Sequence, residues 1–323
     1  MTNRRSATSV GARALALAAI LACSLFTVPG GASAQLNGNN ARGDFGLLSA
    51  YQPDPGSYLS ALFFNYSFSD IVNREGETLS SADGVSIWAF MPLFTHTTNA
   101  KILGANYGFG AAVPLMNSSL EFPRVDIDDS TFGLGDIWLA PLWLGWKTPQ
   151  VDVMTLAAIY LPTGRYEPGG DDNIGLGHVG YELGLGGNVY FNQQRTVHLA
   201  TTAFLEFHGS KKDSDTKVGT ILTLEGGLGA SLNQGLLILG ASYFAQWKLS
   251  DDVIDLPNVE QDVELSGRRH RVYGLGPEVT WFVPSLRGTL TGRYFWDFGA
   301  RSMSQGNTFV FMYTFWFDMP EGL

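Results

Sequence analysis

Thr308-Phe309-Val310-Phe311-Met312-Tyr313-Thr314-Phe315-Trp316-Phe317 carries an aromatic ring at every second position. Phe309, Phe311, Tyr313, Phe315 and Phe317 share one face of an extended strand, with Thr308 and Thr314 on the other, because successive strand side chains point to opposite sides. A helix would scatter the same rings around its axis. A second stretch repeats the pattern, with Leu103, Ala105, Tyr107, Phe109, Ala111 and Val113 alternating against Gly104, Asn106, Gly108, Gly110 and Ala112. Such strands have one oily side and one small or polar side.

Read outward in the same way, the chain after Gly56 yields twelve strands, near 57–69, 84–95, 103–116, 131–146, 151–162, 177–192, 196–208, 218–231, 236–249, 270–283, 286–298 and 307–318. Each is long enough to cross a bilayer at a tilt, which takes about 9 to 11 residues. Hydrophobic residues make up 45% of the chain and charged ones 15%, yet past the first segment no apolar run reaches the roughly 18 residues of a spanning helix. That leaves a soluble sandwich or a membrane barrel. The connections favour the barrel. Long acidic ones near 70–83, 117–130, 163–176, 209–217 and 250–269, and a shorter one at 299–306, alternate with tight turns near 147–150, 193–195, 233–235 and 284–285, and a slightly longer one at 96–102. Tight turns on the periplasmic side and longer loops outside are the asymmetry of an outer-membrane barrel with an even strand number. Tyr58, Trp146, Trp247, Trp281, Tyr294 and Trp296 lie toward strand ends, where interfacial rings would sit.

The first residues read as an address. Arg4, Arg5 and Arg13 precede an apolar stretch from Ala14 to Val28, which ends in Ala32-Ser33-Ala34. Twin-arginine export through Arg4-Arg5 and acylation at Cys23 are the rival readings. No strong hydrophobic follows the arginines closely, and Leu21-Ala22 is a poor lipid-attachment box. The expected organisation is a cleavable signal peptide at 1–34, an irregular segment at 35–55, a transmembrane antiparallel up-and-down β-barrel of about twelve strands at 56–318, and a tail at 319–323. The irregular segment is long enough to tuck into the lumen but short for a substantial plug. Cys23 is the only cysteine, so the mature chain would hold no disulfide or thiolate metal site. The net charge of −10 argues against nucleic acid.

Seven charged or imidazole side chains fall opposite the oily rows: Glu182, His198, Glu206, Lys248, Glu278, Arg293 and Asp297. A lipid-facing Arg or Lys near the midplane costs about 2 to 4 kcal/mol, so these residues are expected to face the lumen and to be the first candidates for a solute path. The turn near Gln194 would make Glu182 and Glu206 cross-strand neighbours, and the turn at Pro284-Ser285 would set Glu278 diagonally near Arg293. A mutually neutralised interior with no solute preference is the plainer reading. Asp126, Asp128 and Asp129 are weak candidates for a loop cation shared with lipopolysaccharide, solvated loop charge being the plainer account. No cofactor and no other metal are expected. Gly175-Leu176-Gly177-His178-Val179-Gly180 matches a dinucleotide fingerprint by letters, but runs into an alternating strand rather than a helix. His198 or His270 beside a serine would be needed for acyl transfer, and no nucleophile elbow accompanies them. The chain is not expected to be an enzyme.

Gly133-Leu134-Gly135-Asp136-Ile137-Trp138-Leu139-Ala140-Pro141, Tyr160-Leu161-Pro162-Thr163-Gly164-Arg165-Tyr166 and the aromatic-rich ending together resemble the outer-membrane barrel transporter family named for the meta-pathway of phenol degradation. The resemblance spans most of the mature chain and implies uptake or efflux of small hydrophobic or aromatic compounds, with no binding residues to carry over. Barrels of this type often finish on an aromatic residue read by the assembly machinery, whereas here Asp318 to Leu323 follow Phe317. The expectation is an outer-membrane channel for small apolar or aromatic solutes, with outer-membrane lipid, lipopolysaccharide and the barrel assembly machinery as partners. A structural or surface-interaction barrel is the alternative, an outer-membrane hydrolase the third reading.

Overall fold

The computed structural model describes residues 37–122, 127–168, 173–253 and 269–318. The signal segment, Asp126 and the tail 319–323 lie outside the described residues. So do the side chains of Asp128 and Asp129, whose backbone belongs to a strand.

The strands are β1 (Gly56–Val72), β2 (Thr78–Ile102), β3 (Ala105–Ala112), β4 (Leu115–Phe122), β5 (Ile127–Leu134), β6 (Ile137–Lys147), β7 (Val151–Leu161), β8 (Gly180–Tyr190), β9 (Val197–His208), β10 (Ile221–Leu232), β11 (Leu237–Lys248), β12 (Arg271–Val283), β13 (Gly288–Arg301) and β14 (Met303–Trp316). Two pairs are halves of one stave. β3 and β4 both pair with β2 and are parted at Val113-Pro114, and their neighbours β6 and β5 are parted at Gly135-Asp136. Pro114 has no N–H to continue a ladder, so the stave breaks there, and the Pro114 carbonyl accepts from Gly135 N–H at 2.8 Å instead. β1 pairs with β2 on one side and with β14 on the other, from Tyr58 opposite Trp316 to Val72 opposite Met303. The sheet thereby closes as a twelve-strand antiparallel barrel.

The faces are inverted relative to a soluble protein. Along β8, Tyr181, Leu183 and Leu185 are each more than half exposed, while Glu182 between them is buried. Leu275, Val279 and Trp281 of β12 are exposed around a buried Glu278. Water would penalise both halves of that arrangement, whereas lipid outside and a hydrogen-bonded interior satisfy them.

Strand ends differ from the sequence expectation where loops shrink. The connection expected at 70–83 is a turn at Asn73–Glu77, closed by Glu77 N–H donating to Asn73 Oδ1 at 2.8 Å. The one expected at 96–102 is strand, and the chain reverses instead at Leu103 (φ 51°) and Gly104 (φ 83°). Both φ values are positive, as a two-residue hairpin turn matching the strand twist requires. Trp281 and Trp296 are exposed as expected. Tyr58 is not an interfacial ring: it points inward, buried, and donates from its hydroxyl to the Asp54 carbonyl at 2.7 Å.

Residues 37–55 hold no strand and only one short 3-10 turn, Gly46–Leu48. They do not merely tuck beside the wall. They cross the lumen and bond to β8, β9, β10, β12 and β13, so the segment is a substantial plug after all.

Candidate functional site: a lumen occupied by the N-terminal segment

An irregular segment inside a barrel has backbone N–H groups with no ladder to join, and leaving them unpaired in a dry interior costs about 1–3 kcal/mol each. The barrel wall supplies carboxylates instead. Glu206 accepts from Asn39 N–H at 2.7 Å and Asn40 N–H at 3.1 Å. Glu182, its cross-strand neighbour, accepts from Asn40 Nδ2 at 3.1 Å and from the Tyr160 hydroxyl at 3.1 Å. Glu225 takes Gly43 N–H at 2.8 Å on one oxygen and Phe45 N–H at 3.2 Å on the other. Glu278 accepts from Leu47 N–H at 2.9 Å and from the Ser242 hydroxyl. Charge-assisted bonds of this kind are roughly twice as strong as neutral ones.

The reciprocal contacts come from cations and imidazole. Arg293 donates to Glu278 Oε1 at 3.1 Å, to the Gly43 carbonyl at 3.0 Å and to the Asp44 carbonyl. His198 Nε2 lies 3.1 Å from the Leu47 carbonyl. Arg42, on the segment itself, stacks 5.1 Å from the Tyr66 ring and 5.7 Å from the Phe244 ring. Gly46 shows how closely the segment fits: its φ is +59°, and a Cβ there would come within 2.1 Å of Glu278 Oε2.

Five of the seven side chains singled out from sequence, Glu182, His198, Glu206, Glu278 and Arg293, meet on this segment. Glu278 stands directly opposite Arg293 rather than diagonally. The other two are buried elsewhere. Lys248 pairs with Asp252 at 2.8 Å at the loop end of β11. Asp297 accepts from Gly306 N–H at 3.2 Å and borders a cavity of ≈ 470 Å³ with Ser67, Ser69, Asp70 and Gln305. Sequence reasoning missed Glu225 and Asp152, both buried, although each alternates with apolar neighbours as the chosen seven do. Asp152 lies near the tight-turn end, ion-paired with Arg195 and accepting from the Tyr190 hydroxyl at 2.9 Å. At the opposite rim Lys211 Nζ donates to the Leu176 carbonyl at 2.9 Å over the Tyr166 ring, and burial pushes its ammonium down to about 8.

No group of three His, Cys, Asp or Glu side chains among the described residues could hold a metal ion. Neither His198 nor His270 bonds to a serine among the described residues. Ser57 Oγ does lie 2.8 Å from His96 Nδ1, but no carboxylate orients that ring among the described residues. The Ser–His–acid arrangement of a hydrolase is therefore not assembled there.

The fold is that of bacterial outer-membrane barrels. An outer membrane channel from Pseudomonas putida F1 superposes with a TM-score of 0.71 at 12% identity, covering 86% of this chain and 100% of that one. The β domain of the Bordetella autotransporter BrkA superposes with a TM-score of 0.50 at 14% identity, covering 82% of this chain and 100% of its own. By sequence, no curated protein matches. The family model described as "Putative MetA-pathway of phenol degradation" matches residues 68–313, from β1 to β14, and the chain belongs to that family.

Proposed function

We propose that the protein is a gated route for small apolar or aromatic compounds across the outer membrane, with residues 37–55 as the gate. One observation carries the reading: a segment that belongs to no strand lies in the lumen, held to the wall through hydrogen bonds and one wall arginine. A barrel serving only as a scaffold has no need of a removable filling. The fold shared with an outer membrane channel and the family's description agree with this reading. Lumen carboxylates and Arg293 then act as the seat of the gate, and outer-leaflet lipopolysaccharide and the barrel assembly machinery are the partners such a location entails. Among the described residues there is no catalytic constellation, and the reading assigns no enzymatic step.

The test is uptake of labelled toluene into vesicles with a lipopolysaccharide outer leaflet, with full-length protein and with a chain lacking residues 37–52. The expected result is faster uptake than in protein-free vesicles, and a further rise together with ion conductance on deletion. Uptake equal to that of protein-free vesicles in both cases would overturn the reading.

A further inference from the structure

The lumen wall combines polar and glycine positions with two buried apolar clusters, one of which forms a recess facing Phe45 of the plug. Ala140, Met154, Leu156, Ala158 and Phe204, from β6, β7 and β9, form a buried cluster with Ala50 of the plug, and Trp138 and Trp143 pack against it. Besides Ala50, the plug places in this recess Phe45, its only phenylalanine, whose ring centroid lies 4.7 Å from that of Phe204 at 38°. That separation falls within the range in which tilted aromatic pairs attract. The second apolar cluster, around Phe244 and Phe295, receives the Arg42 cation and no plug aromatic.

We propose that this recess is a binding site for a single aromatic ring and that Phe45 is its resident occupant, displaced when an aromatic solute enters. The inference rests on the reading of the barrel as a route for apolar solutes. A free ring in the lumen sheds most contact with water at Trp138, Trp143, Leu156 and Phe204, because apolar burial drives such binding. Phe45 holds the same place by the same contacts. Its backbone N–H is one of the two that Glu225 grips, the other belonging to Gly43. Moving the Phe45 ring out of the recess pulls on both bonds, so occupation by solute and loosening of the plug are one equilibrium. A solute that must first evict Phe45 binds more weakly than it would to an empty recess, by the fraction of time the recess stands vacant.

Fluorine NMR of fluorobenzene with the full-length protein, with fluorocyclohexane as a non-aromatic control, reads binding directly. Phe45→Ala should raise the apparent affinity for fluorobenzene at least tenfold over wild type, and for fluorocyclohexane by clearly less. Phe45→Leu, which refills the recess, should stay within about threefold of wild type. Saturating fluorobenzene should speed amide exchange of Gly43 and Phe45 in the wild-type chain, a measurement that stands even if Phe45→Ala fails to fold. Equal affinity of Phe45→Ala and wild type, or unchanged exchange at Gly43 and Phe45 with solute bound, would overturn the site. Binding by Phe45→Ala without toluene uptake would remove the transport route and leave the site, whereas uptake without the affinity difference would do the reverse.

Discussion

Replacing Glu225 by Ala removes the acceptor of Gly43 N–H at 2.8 Å and Phe45 N–H at 3.2 Å from a position with no solvent exposure. Hydrogen bonds to a charged group contribute about 1.5–3 kcal/mol each, so the dry limit is about 3–6 kcal/mol for the pair. Water entering the space vacated by the carboxylate partly satisfies the donors and reduces it. A net loss of about 2 kcal/mol remains, which is roughly a thirtyfold rise in the population of the released plug. Native-state amide exchange at Gly43 and Phe45 reads that population, because exchange there requires the segment to leave its seat. Glu225→Gln keeps one oxygen acceptor and should fall between the two. A rise below about threefold in Glu225→Ala would refute the claim that wall carboxylates hold the plug.

Two further predictions concern wall and rim. Leu185→Arg places a charge at the middle of β8 on a residue 64% exposed to the barrel exterior, and should cost about 2–4 kcal/mol in vesicle refolding equilibria. A cost below about 0.5 kcal/mol, as at an ordinary water-facing site, would deny that this face meets lipid. At the rim, Lys211 binds its proton less tightly when buried, at about 8, than when the loop opens, near 10.5. The open state then holds more protons between those values, so the closed rim should gain stability as pH rises from about 8 to about 10.5 and stay level below that window. Exchange of the Lys211 and Lys212 amides, corrected for intrinsic rates, measures this. Stability falling across the window, or the same slope in Lys211→Met, would contradict it.

The barrel was legible because period-two patterning is written locally. β8 shows it in Tyr181-Glu182-Leu183-Gly184-Leu185, where lipid and lumen alternate residue by residue. The same period turned Glu182 and Glu206 inward as neighbours. Glu225 follows Leu224, but Gly226 and Gly227 after it interrupt the apolar row and hide the signal. The plug was not legible. Residues 37–55 have no period, and their conformation is set by partners 91 to 250 positions away, such as Trp143 for Gln52, Glu182 for Asn40 and Arg293 for Gly43. Its backbone could be satisfied by side chains instead of a ladder only after the barrel existed, so no local propensity encodes it. The outer extension of β1 and β2 was also hidden, because Ser, Thr and Asp near 77–83 read as loop when they are in fact strand beyond the membrane.

The segment joins β1 at Gly56, at the mouth where the tight turns lie, and climbs until Asn39 meets Glu206 near the opposite rim. Its attachment to the wall is therefore at the tight-turn mouth, while its other described end lies deep. Such a tether can swing down and out without breaking one rung of the closed sheet, whereas leaving upward would drag the first strand with it. With the segment acting as the proposed gate, retreat through the tight-turn mouth is the topologically free direction.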